Sequence, residues 1–156
     1  MLGEFHARVL AIPRDPVTGA LGEAVISEAA PPLAHLPIGA PRPPAPTAPC
    51  LWAADLHVSP DGRFVFFSER TASRLVTLRV GADRQLTYVG SVETETQPRG
   101  FRVSADGTLL AACGEQSTFV SLYRIDAETG ALTLAERIES GCGSNWIEIL
   151  PLHANA

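Results

Sequence analysis

Residues 95–107 read Glu-Thr-Gln-Pro-Arg-Gly-Phe-Arg-Val-Ser-Ala-Asp-Gly, a polar loop followed by a short strand. Apolar residues alternate along the strand, at Phe101 and Val103, and the closing Asp-Gly pair is a tight-turn signal. The same strand and turn occur 45 residues earlier, at 56–62, as Leu-His-Val-Ser-Pro-Asp-Gly. The stretch is therefore one copy of a repeated unit.

The repeat predicts two complete units of four short strands, at residues 52–92 and 99–139. The predicted strands are 52–58, 63–68, 74–80, 86–92, 99–104, 108–113, 118–125 and 131–138. A fixed period of this size with several short strands per copy is typical of a β-propeller blade. Apolar residues alternate at period two, so we expect an all-β fold without helices.

A partial copy precedes these units. Residues 15–21, Asp-Pro-Val-Thr-Gly-Ala-Leu, match residues 126–132 at an offset of 111. The strands predicted at 7–14 and 21–27 are then the outer two of a blade, and one further strand is predicted at 146–150. The expectation is a partial β-propeller with two complete four-stranded blades, half a blade and one extra strand. Since propellers have four to eight blades, we expect residues 1–156 to be the C-terminal portion of a longer one.

Residues 28–50 break the repeat and contain eight prolines. Proline fixes φ and lacks an amide donor, so no strand ladder is expected there. We interpret this segment as a proline-rich inter-blade insertion; the alternative is a recognition arm for a proline-binding module. An open propeller leaves strand edges unpaired, which predicts possible self-association.

Composition limits the partners and the compartment. The net charge of -5 argues against nucleic acid, and no apolar run is long enough for a membrane span. The N-terminus lacks the features of a signal peptide, and three scattered cysteines suit a reducing compartment, so we predict a cytoplasmic protein. There is no Cys-x-x-Cys or His-Glu-x-x-His motif, so neither a metal nor a cofactor is expected.

One face of the predicted propeller collects charged residues from different repeats. Glu4, Arg70 and Glu115 occupy equivalent loops between the second and third strands, and Arg99 enters the next blade on the same face. Arginine binds phosphate or carboxylate through paired hydrogen bonds. A carboxylate can activate water, and cations stabilise the oxyanion of ester or lactone hydrolysis. We therefore predict a small anionic substrate; the alternative is a set of solvated loop charges.

Asp55 and His57 lie two residues apart in an innermost strand, so both side chains point to the same side. They are candidate substrate-binding residues lining the channel, together with Arg70. The alternative for His57 is an ordinary packing role.

Three segments carry a resemblance to a known family. They are Leu-Trp-Ala-Ala-Asp-Leu-His-Val-Ser-Pro-Asp-Gly-Arg at 51–63, Glu-Arg-Thr-Ala-Ser at 69–73, and Glu-Thr-Gln-Pro-Arg-Gly-Phe at 95–101. They resemble the bacterial propeller-type 6-phosphogluconolactonases of the seven-bladed lactonase family, which also includes a fungal carboxy-muconate cyclase. The resemblance spans about residues 2–150, apart from the proline-rich segment.

The resemblance implies a seven-bladed ring without a metal. It also implies hydrolysis of 6-phosphogluconolactone to 6-phosphogluconate in the pentose phosphate pathway. By motif, Glu4 and Arg99 are the catalytic candidates, although Gly3-Glu4-Phe5 replaces the family's Asn-Glu-Leu-like motif. The family's histidine and second arginine are expected on blades before residue 1, which makes this chain a truncated form.

Alternatives to hydrolysis are a non-catalytic propeller fragment that binds a ligand or partner, and a muconate-type lactonising enzyme. Between the two equivalent glutamates, Glu4 is favoured because it faces the preceding blades. Glu115 is expected further round the ring, with no effect on turnover.

Overall fold

The computed structural model describes residues 1–41 and 49–150, and its regular structure is almost entirely β. The strands are β1 Leu2–Gly3, β2 Arg8–Ala11, β3 Val25–Ile26, β4 Ala53–Val58, β5 Phe64–Glu69, β6 Arg74–Val80, β7 Leu86–Glu93, β8 Pro98–Val103, β9 Leu109–Gly114, β10 Phe119–Ile125 and β11 Leu132–Glu139. The helical structure described is a single 3₁₀ turn at Pro31–Leu33. None of the described helical structure is long and apolar enough to cross a membrane.

The two complete blades predicted from the repeat are confirmed. Strands β4 to β7 form one antiparallel sheet in chain order, and β8 to β11 form a second. Strands β8, β9 and β10 begin and end 45 residues after β4, β5 and β6. The period is therefore a structural period, and each copy of the repeat is one blade.

The sheets pack face to face, and β5 explains how. All six of its residues are buried, because neighbouring sheets cover both of its faces. Val65 and Phe67 join the core shared with the first sheet, whereas Phe64 and Phe66 join the core shared with the last sheet. A strand covered on both sides is expected to be largely apolar, as are the first four residues of β5, Phe-Val-Phe-Phe.

The half blade is a small three-stranded sheet in the order β1–β2–β3. Strands β2 and β3 correspond to the predicted outer pair, but both are shorter than predicted. Strand β1 adds a piece of the blade's second strand, which the sequence interpretation lacked; at the offset of 111 it matches the end of β9. The extra residues matter because β1 leads directly into the loop that holds Glu4.

The strand predicted at 146–150 is wrong, because the structure describes no strand there. The segment lies against β8, where Arg102 and Glu148 form an ion pair with a distance of 3.2 Å between Nε and Oε2. The Asn145 carbonyl oxygen would be only 2.6 Å from a Cβ on Gly100, so a side chain there would block this approach. An apolar segment forms a strand only where a neighbouring strand pairs with its backbone, and no described residue does so here.

The described part of the proline-rich segment packs on the first sheet. Leu33, in the 3₁₀ turn, is buried in the core between the first two sheets. The Gly39 amide donates to the Phe5 carbonyl, and the Leu51 amide donates to the Pro37 carbonyl. The interpretation of 28–50 as an inter-blade insertion stays a prediction, since residues 42–48 lie outside the described residues.

A buried carboxylate anchors the loop that enters the last blade. Glu95 is 3% exposed and accepts two hydrogen bonds from Arg137, at 2.8 and 2.9 Å. The hydroxyls of Ser117 and Ser121 also donate to it. The Arg137 hydrogen bonds, with smaller contributions from the two serines, outweigh burial and lower the pKa of Glu95 from 4.5 to about 2. The ionised carboxylate therefore fastens the entering loop to β10 and β11.

We expect Glu95→Gln to lower the stability of the chain at neutral pH and to flatten its acid dependence. Because the folded pKa lies below the ordinary value, the ionised carboxylate stabilises the fold above about pH 4.5, and that contribution is lost as the pH falls towards 2. Urea unfolding followed by tryptophan fluorescence from pH 7 to pH 2.5 measures the slope.

The matched control is Glu93→Gln, whose side chain is 81% exposed and pairs only with Arg74 among the described residues. It should leave the slope nearly unchanged. Part of the acid dependence should remain in Glu95→Gln, since hydrogen bonds from Ser104 and Thr129 also lower the pKa values of Asp106 and Asp126. An unaltered slope in Glu95→Gln would contradict the role given to this carboxylate.

Candidate functional site

Equivalent loops on one face of the blades bring the predicted charged residues together. Glu4 lies between β1 and β2, Arg70 between β5 and β6, and Glu115 between β9 and β10. Arg99 lies near the start of β8. A cavity of about 340 Å³ opens beside Glu4, Arg70 and Arg99. Its lining residues are Leu2, Glu4, Trp52, Ala53, Ala54, Arg70 and Arg99.

Backbone hydrogen bonds hold each loop against the strand that enters a blade. The Arg70 amide donates to the Trp52 carbonyl at 2.9 Å, and the Glu115 amide donates to the Gln97 carbonyl at 3.1 Å. These two bonds are the same feature 45 residues apart. Glu4 is held from the other side, because its carbonyl accepts from the Ala53 amide at 2.7 Å. The repeat therefore fixes the backbone positions from which these charged side chains extend.

Trp52 lines the cavity and contacts two of its charged residues, Glu4 and Arg70. Its indole Nε1–H donates to Glu4 Oε1 at 2.9 Å, which orients this exposed carboxylate. The Arg70 guanidinium stacks over the indole, with its carbon 3.7 Å from the ring centroid, in a cation–π contact. In the sequence, Trp52 is distinguished only by lying in the family-like segment 51–63. The feature of the sequence that could have identified Trp52 as a site residue is its position directly before an innermost strand, on the face that carries the charged loops.

Glu115 bridges the two arginines. One carboxylate oxygen accepts from Arg70 Nη2, and the other accepts from Arg99 Nη1 at 3.2 Å. The Arg70 side chain is only 7% exposed, whereas that of Arg99 is 56% exposed. The sequence predicts Glu115 further round the ring, and this is wrong. Glu115 contacts both arginines because Arg99 lies in the same blade and Arg70 lies in the adjacent one.

A register shift at the start of each innermost strand sets the direction of Arg99. The β8–β9 pairing shifts between Pro98 and Phe101, and the β4–β5 pairing shifts between Ala53 and Leu56. Such bulges redirect side chains. Arg99 therefore reaches the cavity, and Ala54, 45 residues earlier, lines the same cavity with only a methyl group.

Asp55 and His57 lie in a separate, neighbouring cavity of about 120 Å³. Their side chains are 3.4 Å apart between Oδ2 and Nε2, and the same Asp55 oxygen accepts from the Phe101 amide at 3.2 Å. The His57 ring also packs edge-on against Phe101. Burial opposes ionisation of Asp55, but hydrogen bonds from His57 and the Phe101 amide outweigh it and keep its pKa below the ordinary value. The structure therefore gathers Glu4, Arg70 and Arg99 at one cavity and this pair at another.

The donors around the larger cavity suit an anion. Two guanidiniums face it, and the nearby carboxylates are each occupied by an indole or by arginines. Across residues 1–41 and 49–150, no group of three or more His, Cys, Asp or Glu side chains is placed to hold a metal ion.

Comparison with known proteins places the chain in a family. A model of the lactonase family, described as a seven-bladed β-propeller, matches residues 1–147. The 6-phosphogluconolactonase of Yersinia enterocolitica is 42% identical over 108 residues, which are 69% of this chain and 32% of the relative. That of Pectobacterium carotovorum is 43% identical over 102 residues, which are 65% of this chain and 31% of the relative. The chain thus spans about a third of the length of these relatives.

Solved structures agree on the fold. A Lactobacillus plantarum protein superposes with a TM-score of 0.76 at 23% identity, over 93% of this chain and 39% of that one. The periplasmic gluconolactonase of Pseudomonas aeruginosa superposes with a TM-score of 0.69 at 25% identity, over 90% and 36%. The described sheets are therefore blades of a partial β-propeller, and the chain belongs to the seven-bladed β-propeller lactonase family.

Proposed function

We propose that this chain supplies the anion-binding part of a lactonase that hydrolyses 6-phosphogluconolactone to 6-phosphogluconate. The observation that carries the proposal is the cavity in which Arg70, Arg99 and Glu4 meet around Trp52. Relatives named 6-phosphogluconolactonase support the choice of substrate. A phosphorylated sugar lactone offers both an anionic group for the arginines and an ester carbonyl for attack by water.

Each side chain has a distinct role in this proposal. Arg99, the more exposed guanidinium, grips the phosphate of the substrate. Glu4, oriented by the indole of Trp52, accepts a proton from the attacking water. The water oxygen then bonds to the lactone carbonyl carbon, the ring C–O bond breaks, and the leaving oxygen takes from Glu4 the proton that Glu4 had accepted from the water. The positive field of the arginines stabilises the negative charge that develops on the carbonyl oxygen.

The remaining site assignments are part of the same proposal. Arg70 contributes to substrate binding by holding Trp52 and Glu115 in place, since its own side chain is largely buried. Asp55 and His57 contact the sugar portion where the substrate extends into the neighbouring cavity. We also propose a role in the pentose phosphate pathway and a cytoplasmic location. Self-association through open blade edges stays a prediction.

The test is a chimera in which residues 1–147 replace the matched blades of the Yersinia enterocolitica relative. Proton release on ring opening is measured with fresh 6-phosphogluconolactone and with unphosphorylated gluconolactone. We expect turnover of both, with a clear preference for the phosphorylated lactone. Equal rates for the two lactones would exclude phosphate recognition at this site, and a properly folded chimera without turnover would overturn the lactonase proposal.

We expect Arg99→Ala in the chimera to reduce kcat/KM for 6-phosphogluconolactone by roughly 10- to 150-fold. This corresponds to about 1.5–3 kcal/mol for the loss of a charge-assisted hydrogen bond. Arg99→Lys should restore part of the loss, because an ammonium group cannot make the planar paired contact. Steady-state kinetics with both lactones give the comparison.

The control is Arg124→Ala, an exposed arginine on β10 that lines neither cavity. Its kinetics should remain close to those of the unsubstituted chimera. If Arg99→Ala slowed gluconolactone as strongly as its phosphorylated form, Arg99 would not be the phosphate ligand.

A further inference from the structure

The two oxygens of the Glu115 carboxylate are held unequally. One oxygen contacts Arg70, whose guanidinium is stacked on Trp52 and is nearly buried. The other contacts Arg99, which is mostly exposed, through a single bond of 3.2 Å. This is the only hydrogen bond of the Arg99 side chain within the described ranges 1–41 and 49–150.

Burial decides which of these contacts can be exchanged. Separating Glu115 from Arg70 would leave a buried charge without its partner, which is strongly unfavourable. The Arg70 Nε is already buried without a hydrogen-bond partner among the described residues. Loss of Glu115 would leave a further donor of this guanidinium without its partner. The contact with Arg99 is near solvent, where an ion pair contributes little. An arriving anion can therefore replace Glu115 on Arg99 but not on Arg70.

We propose that Glu115 is an internal counter-anion that occupies Arg99 until a phosphate-bearing ligand takes its place. This inference rests on the proposed function only in using the same arginine site. A phosphate dianion carries more charge than a carboxylate and so competes well against Glu115, whereas a carboxylate ligand only replaces like with like. Glu115 thereby lowers the affinity of the site for every anion and favours phosphate esters over simple carboxylates.

Equilibrium binding of inorganic phosphate to the 156-residue chain tests this inference without any turnover. Calorimetry at constant ionic strength gives the affinity. Trp146→Phe removes the exposed second tryptophan, so that emission of Trp52, which touches Arg70 and Glu4, reports binding at this cavity. Arg99→Ala should abolish the emission change.

Glu115→Gln should bind phosphate about two- to fivefold more tightly than the unsubstituted chain, the factor for releasing one exposed ion pair. Glu115→Asp keeps the charge beside Arg70 but is too short to bridge both arginines. It should bind at least twofold more tightly, and it decides the matter if Glu115→Gln fails to fold. Weaker or unchanged binding in the folded variants, or no phosphate binding by any of them, would overturn the inference.

The outcomes separate this inference from the lactonase proposal. Tighter phosphate binding in the Glu115 variants, together with an inactive chimera, would support the counter-anion and reject only the reaction. Turnover by the chimera, together with unchanged phosphate affinity in the variants, would reject only the counter-anion.

Discussion

Glu4→Gln in the chimera is expected to lower kcat for 6-phosphogluconolactone by about 10²–10⁴, the range for losing a general acid or base. The substitution keeps the size of the side chain and an oxygen that can accept from the Trp52 indole. It removes only the ability to take a proton from water. KM should change little, because the arginines that grip the phosphate are untouched. Steady-state kinetics across the pH range measure both constants.

Glu23→Gln is the matched control, an exposed glutamate in the loop that leads to β3. It should leave both constants unaltered. Trp52→Phe adds a second check, since it retains a ring beneath Arg70 but removes the donor to Glu4. Its kcat should fall by less than that of Glu4→Gln. A chimera with Gln at position 4 and normal turnover would remove Glu4 from the mechanism.

Glu69→Ala is expected to destabilise the chain by about 3–5 kcal/mol. Glu69 is completely buried at the end of β5. Its carboxylate accepts from the Trp52 amide at 2.7 Å and from the Ala72 amide at 2.6 Å. Alanine leaves both amides without this acceptor and opens a cavity in the core. The free energy of unfolding in urea gives the size of the effect.

The corresponding control is Glu93→Ala at the end of β7, where the side chain is exposed. It should cost less than about 1 kcal/mol. Glu69→Ala should also shift the emission of Trp52, because the Glu69 carboxylate holds the backbone of that residue. A loss below 1 kcal/mol in Glu69→Ala would show that other groups or water satisfy the two amides.

The blades were predictable because their information is local. Each copy carries its own Asp-Gly turn and its own alternation, so the period of 45 residues located the strands of both complete sheets. The segment 146–150 is also rich in apolar residues but has no pairing partner among the described residues, and its composition alone could not show this. A strand is a property of two segments, whereas the sequence pattern describes only one.

The site was predictable to the level of loops but not of contacts. Equivalent positions in the repeat correctly placed Glu4, Arg70 and Glu115 on one face. Which side chains touch depends on how adjacent loops approach each other, and no spacing within a repeat gives that distance. For this reason the bridge made by Glu115 and the contacts of Trp52 with Glu4 and Arg70 are visible only in the three-dimensional structure.

The register shift that begins each innermost strand has a consequence for how such proteins diversify. It gives each complete blade one outward position at the cavity mouth, filled by alanine at 54 and by arginine at 99. Exchanging the residue at such a position alters the ligand chemistry and leaves every core side chain in place. A single substitution at such a position can therefore change what the cavity binds, one blade at a time, without opposing the folding of the sheets.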